Sequence, residues 1–232
     1  MVKVAIGAGH GFYTKGKRSP NDEREWFFNK QVVEYAIKHL RDYDGIDVLR
    51  VDDRTGKTDV PLQERTDNAN SWGADIYISC HHNANTGEWG TWTGTETYTY
   101  EGNWNEAEKL AGIVHGKVIG AYGLANRGLK KANFHVLRET KMPAILIEGG
   151  FMDSEIDIKK LRDDSVLEKV GQAIAEGVAE YFGLKKREKS TSDIHRLIVD
   201  GKQVIALKDD DNLLNEVKSY LGKAKEIKIQ KV

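Results

Sequence analysis

The sequence predicts an α/β fold: a mostly parallel, twisted sheet flanked by helices, followed by a small C-terminal ββαβ (α+β) module. Three observations carry this expectation. The short apolar runs at 2–6, 75–80 and 144–147 have the near-continuous hydrophobicity of strands buried on both faces. Segments with helical spacing alternate with such runs, the signature of a parallel sheet with crossover helices. A wholly polar stretch at 185–192 interrupts the pattern, and strand-like alternation resumes beyond it.

The elements follow in order. Residues 2–6 read as a strand and 7–22 as a loop rich in Gly, Asn and Ser. From Glu25 onward, Trp26, Asn29, Val33, Ala36 or Ile37, and Leu40 recur at helical spacing. Asp44-Gly45 stops that helix, and 46–51 alternates as a strand does. Pro61 suits the first turn of a helix running to about Trp72, and Gly73-Ala74 then leads into the strand that reaches His81. Residues 94–100 form a Thr/Tyr-rich strand. Asn105 caps a helix over 106–121, and 133–137 and 143–147 read as further strands. A long amphipathic helix over 165–182 is stopped by Gly183. These elements place one domain at 1–184, a linker at 185–193 and a module at 194–232. In the module, 196–200 and 203–207 form a hairpin closed by Asp200-Gly201-Lys202, Leu213, Leu214, Val217, Tyr220 and Leu221 make a helical stripe, and 226–232 alternates strictly. Its core is thin, so it needs a docking surface or a partner copy, and its edge strand offers a route to dimerisation.

Composition narrows the function. Hydrophobic residues make up 39% of the 232 and charged residues 31%, as in a globular protein. The net charge of −1, from 35 basic and 36 acidic residues, argues against affinity built on nucleic-acid phosphates. No apolar stretch reaches the length that spans a bilayer, so no membrane insertion is expected. The first residues lack the basic and apolar regions of a signal peptide. Cys80 is the only cysteine, which excludes an internal disulfide and a multi-cysteine zinc knuckle; a metal would have to take His and carboxylate ligands.

Such ligands occur where α/β sheets build their sites, at strand ends. Residues 2–6 run into Gly7-Ala8-Gly9-His10-Gly11, 75–80 run into His81-His82-Asn83-Ala84, and 144–147 run into Glu148-Gly149-Gly150. A catalytic zinc takes three protein ligands and keeps one position open. His10 and His81 are the nitrogen candidates. The third ligand is expected to be a carboxylate opening a helix: Glu25 fits, with Glu23 and Asp22 as nearby competitors. Glu148 follows four apolar residues, and the partial desolvation expected there raises a carboxyl pKa toward the range useful for proton transfer. His82 is expected to face away from His81, since strand residues alternate, and Cys80 to point into the core. His39 and His115 fall in helical segments and read as surface or packing residues, and His195 as part of the small module. Trp89, Trp92, Tyr98, Tyr100 and Trp104 read equally as a packed strand and loop or as a wall for sugar or peptide.

These residues also carry a resemblance. His10 in GAGHG, Glu25 in EWFFN, His81 in ISCHHNA and Glu148 in PAILIEGGF resemble the zinc-dependent N-acetylmuramoyl-L-alanine amidases called amidase type 3. Arg54, the run Leu62-Gln63-Glu64-Arg65, Asn68-Ala69-Asn70 and Ala74-Asp75 are similar to that family's segment between its second and third ligands. Asn126-Arg127-Gly128-Leu129-Lys130 and Phe134-His135-Val136-Leu137-Arg138 are similar to the segment before its catalytic glutamate. The resemblance spans residues 2–183. It departs at Gly7-Ala8, where the family often has Asp-Pro, and at His82, where many members carry a small residue. It implies a peptidoglycan hydrolase that cuts the amide between N-acetylmuramic acid and the L-alanine of the stem peptide. One Zn²⁺ would be held by His10, Glu25 and His81, with Glu148 as general acid/base. Asn83, Arg127 and His135, the last on an expected strand, are the residues expected to contact substrate. The module from Ile194 resembles the C-terminal domain of some Bacillus phage endolysins, which implies recognition of wall or spore. Together these imply an endolysin or a mother-cell lysis enzyme, made in the cytoplasm and acting on the cell wall after release.

Overall fold

The computed structural model describes residues 1–187, 195–207 and 216–231. The chain divides into two compact units, Met1–Lys186 and Arg187–Val232. In the first, β1 (Val2–Ala8), α1 (Glu25–Leu40), β2 (Ile46–Arg50), α2 (Leu62–Trp72), β3 (Ile76–Asn83), β4 (Thr95–Thr99), α3 (Asn105–Tyr122), β5 (Asn126–Lys131), α4 (His135–Arg138), β6 (Ala144–Phe151), α5 (Ile158–Leu161) and α6 (Asp164–Phe182) follow one another. The six strands make one sheet in the order β2-β1-β3-β6-β4-β5. Every pairing is parallel except β4 with β6.

Alternation along the strands builds two cores. Val4, Ile6, Ile76, Ile78, Cys80, Ile145 and Ile147 face one side, where α1, α3 and α6 cover them. Ala5, Tyr77, Ala144 and Leu146 face the other, against residues of α2 and α4. Ile6, Ile78, Ile145 and Ile174 have no exposure at all, so truncating any of them to Ala would cost on the order of 2–5 kcal/mol. Cys80 is sealed in the larger core, as expected of it, and burial pushes its thiol pKa well up.

The expected fold class is the one observed, and the details differ in instructive places. Both site-bearing strands run past the expected ends: β3 continues through His81 to Asn83, and β6 through Glu148 to Phe151. Pairing with β4 on its far side extends the hydrogen-bonded ladder of β6 through Glu148. The strand expected at 133–137 is instead a loop and the short helix α4, in which Leu137 and Arg138 both donate backbone N–H to the Phe134 carbonyl. The strand in this region lies earlier, as β5. Asn105 is the first helical residue of α3 rather than a cap making a side-chain hydrogen bond.

The second unit is a three-stranded antiparallel sheet in the order β8-β7-β9, with β7 (His195–Val199), β8 (Lys202–Leu207) and β9 (Ile227–Lys231). Asp200 (φ 49°) and Gly201 (φ 79°) close the expected hairpin with two left-handed residues, and the Asp200 carboxylate accepts the backbone N–H groups of Lys225 and Glu226. Residues 216–220 are helical. Most of the expected linker, and Leu213 and Leu214 of the helical stripe, lie outside the described residues. Lys185 and Lys186 belong to the first unit, paired with Asp44 and Tyr43.

Candidate metal and proton-transfer site

The site begins with the backbone of β1. Past Ala8 the chain turns sharply, and His10 takes a left-handed conformation at φ 63°, which costs a non-glycine residue on the order of 1 kcal/mol or more. Two features hold it there. The buried Arg65 of α2 donates to the carbonyls of Ala8 (2.5 Å), His10 (3.2 Å) and Val60 (2.9 Å). Gly9 donates to the Cys80 carbonyl and lies flat against the His81 ring; a Cβ at position 9 would fall 2.0 Å from His81 Cε1. A glycine is therefore required for the two imidazoles to converge.

They converge on Glu25, the first residue of α1. His10 Nε2 lies 3.2 Å from Glu25 Oε2, and His81 Nδ1 lies 3.0 Å from Oε1. The three ligand atoms fall within 4.8 Å of one another, and these residues form the one such His/Cys/Asp/Glu group among the described residues. Of the three acidic candidates, Glu25 is the one brought here. Glu23 pairs with Arg162, and Asp22 pairs with Arg18 and Arg24. Glu25 is buried and further held by Asn29 Nδ2 (3.1 Å) and the His82 N–H (3.3 Å). Burial by itself would raise its pKa, but hydrogen bonds from His10 and His81 outweigh it and hold the carboxyl well below the usual range. A buried, ionised carboxylate bridging two imidazoles is a donor set that fits a divalent metal, with orienting groups already in place behind it.

Glu148 stands beside this cluster and outside it. The register sets it opposite His81 on β3 and opposite Glu96 on β4. Its Oε2 is buried and makes no hydrogen bond among the described residues. Burial first, then the charges of Glu25 and Glu96, push its pKa well above the ordinary carboxylate value, against a weaker pull from Lys17. Helix α1 thus brings one carboxyl between the imidazoles, where its pKa is lowered, and β6 holds the other opposite His81, where its pKa is raised.

Among the expected substrate contacts, Asn83 and Arg127 come together. Asn83 Nδ2 donates to Glu96 Oε1 (2.8 Å) and Arg127 Nε to Glu96 Oε2 (2.8 Å). His135 stands apart from that pair: it opens α4, with Nε2 3.4 Å from Thr66 Oγ1. A cleft of about 310 Å³ lies beside the imidazoles, lined by His10, Asp59, Leu62, Arg65, His81 and Val136 among others. His82 points away from His81, as alternation requires, and is buried between Asn29 Oδ1 (2.7 Å) and Tyr122 OH (2.9 Å). The aromatic residues divide. Trp92 donates to Asp153, Trp89 stacks with Arg162 and Tyr98 donates to Glu96, whereas Trp104 is largely exposed beside Tyr100. Glu96 was not singled out in the sequence. Its one signal is a carboxylate inside a Thr/Tyr strand, in a position that pairing with β6 buries.

The chain and its fold have counterparts among known proteins. The N-acetylmuramoyl-L-alanine amidase family matches residues 4–180. N-acetylmuramoyl-L-alanine amidase CwlM of Bacillus licheniformis is 36% identical over 186 residues, covering 80% of this chain and 71% of that protein. The sporulation-specific N-acetylmuramoyl-L-alanine amidase of Bacillus subtilis (strain 168) is 37% identical over 192 residues, covering 82% and 72%. The endolysin of Bacillus phage SPP1 is 37% identical over a shorter stretch, 54% of this chain and 47% of that one. Among solved structures, the catalytic domain of CwlV from Bacillus (Paenibacillus) polymyxa var. colistinus superposes with a TM-score of 0.73 at 31% identity, covering 80% of this chain and all of that one. The molecule is thus a cell-wall amidase by fold and by sequence. The chain belongs to the N-acetylmuramoyl-L-alanine amidase family, whose members hydrolyse peptidoglycan at the amide between N-acetylmuramic acid and the L-alanine of the stem peptide.

Proposed function

We propose that the amidase works with one Zn²⁺ held by His10, Glu25 and His81, and that Glu148 is its general acid/base. The observation that carries this reading is the Glu25 carboxylate lying between His10 Nε2 and His81 Nδ1, with the orphaned Glu148 oxygen outside the group. Zinc, when bound, supplies Lewis acidity that polarises the amide carbonyl and acidifies water. Glu148 accepts a proton from the attacking water and delivers it to the departing nitrogen of L-alanine. Its raised pKa suits both halves of that exchange. Asn83, Arg127 and His135 contact the substrate around this centre.

The second unit, with the linker before it, acts as a tether to the wall. Holding the catalytic unit on an insoluble polymer raises its effective concentration there. The outer edges of β8 and β9, unpaired among the described residues, offer a route to dimerisation through this module. We read the whole chain as a lytic enzyme of phage, prophage or sporulating-cell origin that is made in the cytoplasm and reaches the wall after release. The support is that its relatives include an endolysin and a sporulation-specific amidase. Neither nucleic acid nor membrane insertion enters this reading; among the described residues no helix is long and apolar enough to cross a bilayer.

The test is digestion of purified peptidoglycan with mass analysis of the products. Release of L-alanyl amino termini, abolished by a strong chelator and restored by Zn²⁺, is the expected result. Full activity in protein shown to be free of metal would refute the zinc assignment. Cleavage elsewhere in the stem peptide would refute the amidase chemistry.

A further inference from the structure

Glu96 is the most heavily engaged carboxylate next to Glu148. It is 2% exposed, and four side chains converge on it: Asn83 Nδ2 (2.8 Å) and Tyr98 OH (2.6 Å) on Oε1, and Arg127 Nε (2.8 Å) and Lys130 Nζ on Oε2. Burial would raise its pKa, but Lys130, Tyr98 and Arg127 outweigh that effect and keep it ionised. One negative charge therefore faces two positive ones, and the group carries a surplus cation beside the proton-transfer carboxyl. Lys130 alone would neutralise Glu96.

Arg127 is the cation built to reach outward. Its Nε is fixed by Glu96, and its guanidinium lies over the Phe151 ring, 4.9 Å from the centroid. Its side-chain stem crosses Gly94, where a Cβ would come within 2.7 Å of Arg127 Cγ. The two Nη groups form no hydrogen bond or ion pair with the described residues, and the side chain is 37% exposed. A planar guanidinium gripped at Nε and stacked on one face presents its Nη pair as a ready fork, the geometry that takes a carboxylate in two parallel hydrogen bonds.

We propose that Arg127, positioned by Glu96, binds a carboxylate of the substrate's stem peptide, on the residue that follows the L-alanine at the cut bond. The alanine side chain is a methyl group and its carbonyl is taken up in the next peptide bond, so a carboxylate for this fork has to come from beyond the alanine, and the residue that follows it is the nearest that can carry one. This deepens the reading that Glu148 and the His-Glu-His cluster cleave the amide before that alanine, and it rests on that reading.

The test uses the full chain loaded with zinc and two disaccharide-pentapeptides that differ at the second stem residue alone, one ending there in a carboxylate and one in a carboxamide. Losing a charge-assisted hydrogen bond is worth about a factor of ten or more. The wild type is therefore expected to favour the carboxylate about tenfold in kcat/KM. Arg127→Gln is expected to bring that preference close to one, and Arg127→Lys, which keeps charge without the fork, to fall between them. Glu96→Gln is expected to shrink the preference mainly through KM for the carboxylate substrate, with metal content unchanged, as a positioning role requires and a general loss of fold would not produce. Equal cleavage of both substrates by the wild type, or a preference that survives Arg127→Gln, would overturn the proposal while leaving the amidase assignment intact. If neither substrate is cut before its alanine, the cleavage reading fails and this one falls with it.

Discussion

Glu25 and Glu148 are the same residue type in one cluster of charges, and their surroundings send them in opposite directions. Glu25 receives His10, His81, Asn29 and a backbone N–H, while the buried Oε2 of Glu148 receives no hydrogen bond from the described residues. A ligand must stay ionised and a proton carrier must change state, and the opposite directions in which the two carboxyls are pushed agree with the roles proposed for them. Glu148→Gln is expected to keep a full complement of zinc, measured by elemental analysis, while kcat/KM drops by at least about 100-fold; near-normal turnover would remove Glu148 from the mechanism. Gly9→Ala is expected to weaken zinc binding about 10- to 100-fold, since the new Cβ displaces the His81 ring. A metal titration monitored alongside circular dichroism would separate that loss from unfolding. At this scale much of the site was legible: His10, His81 and Glu148 each follow an apolar run, and Glu25 opens an amphipathic helix. Glu96 was not legible, because its burial comes from a neighbour 52 positions along the chain, Glu148, to which no local pattern points.

The elements show the same division between local and non-local causes. β1, β3, β6, α1 and α6 were readable because their burial writes a period into the sequence. β5 was not. It is an edge strand, exposed along most of its length, and Asn126-Arg127-Gly128-Leu129-Lys130-Lys131 has no apolar alternation to reveal it. Its charge is what an edge uses to deter further pairing. Residues 133–137 were misread for a related reason: a five-residue window with two adjacent apolar positions suits a strand or one helical turn, and packing of Val136 and Leu137 against the smaller core selects the turn. At the start of α6, Asp163 accepts hydrogen bonds from the Ser165 hydroxyl and N–H, and these hold its pKa below the usual value. A depressed carboxyl pKa gives stability that is present above the unfolded value and is lost as pH falls through the folded one. The melting temperature of Asp163→Ala is therefore expected to lie below that of the wild type at pH 7, and the gap is expected to close as pH falls below the ordinary carboxylate range. A gap independent of pH would mean that the cap acts through geometry alone.

For the whole molecule, two units with separate sheets imply separable tasks. The first contains both cores and every residue of the candidate site, and the family match ends inside it, at residue 180. A protein ending after residue 187 is expected to retain zinc and its rate on soluble muropeptides within about twofold, and to lose activity on intact walls by about 100-fold if avidity is what the second unit supplies. Turbidity clearing measured beside soluble-substrate turnover reads both at once; equal loss on both substrates would argue for a structural dependence instead. Cys80 has a consequence at this scale as well. It is the chain's single thiol, it stands on β3 next to His81 and faces the core, and burial favours its protonated form. A thiol that is neither ionised nor reachable is slow to oxidise, to exchange or to couple two molecules. Disulfide chemistry at Cys80 therefore does not follow the redox state of the surroundings: the thiol is expected to stay a thiol in a reducing and in an oxidising medium alike.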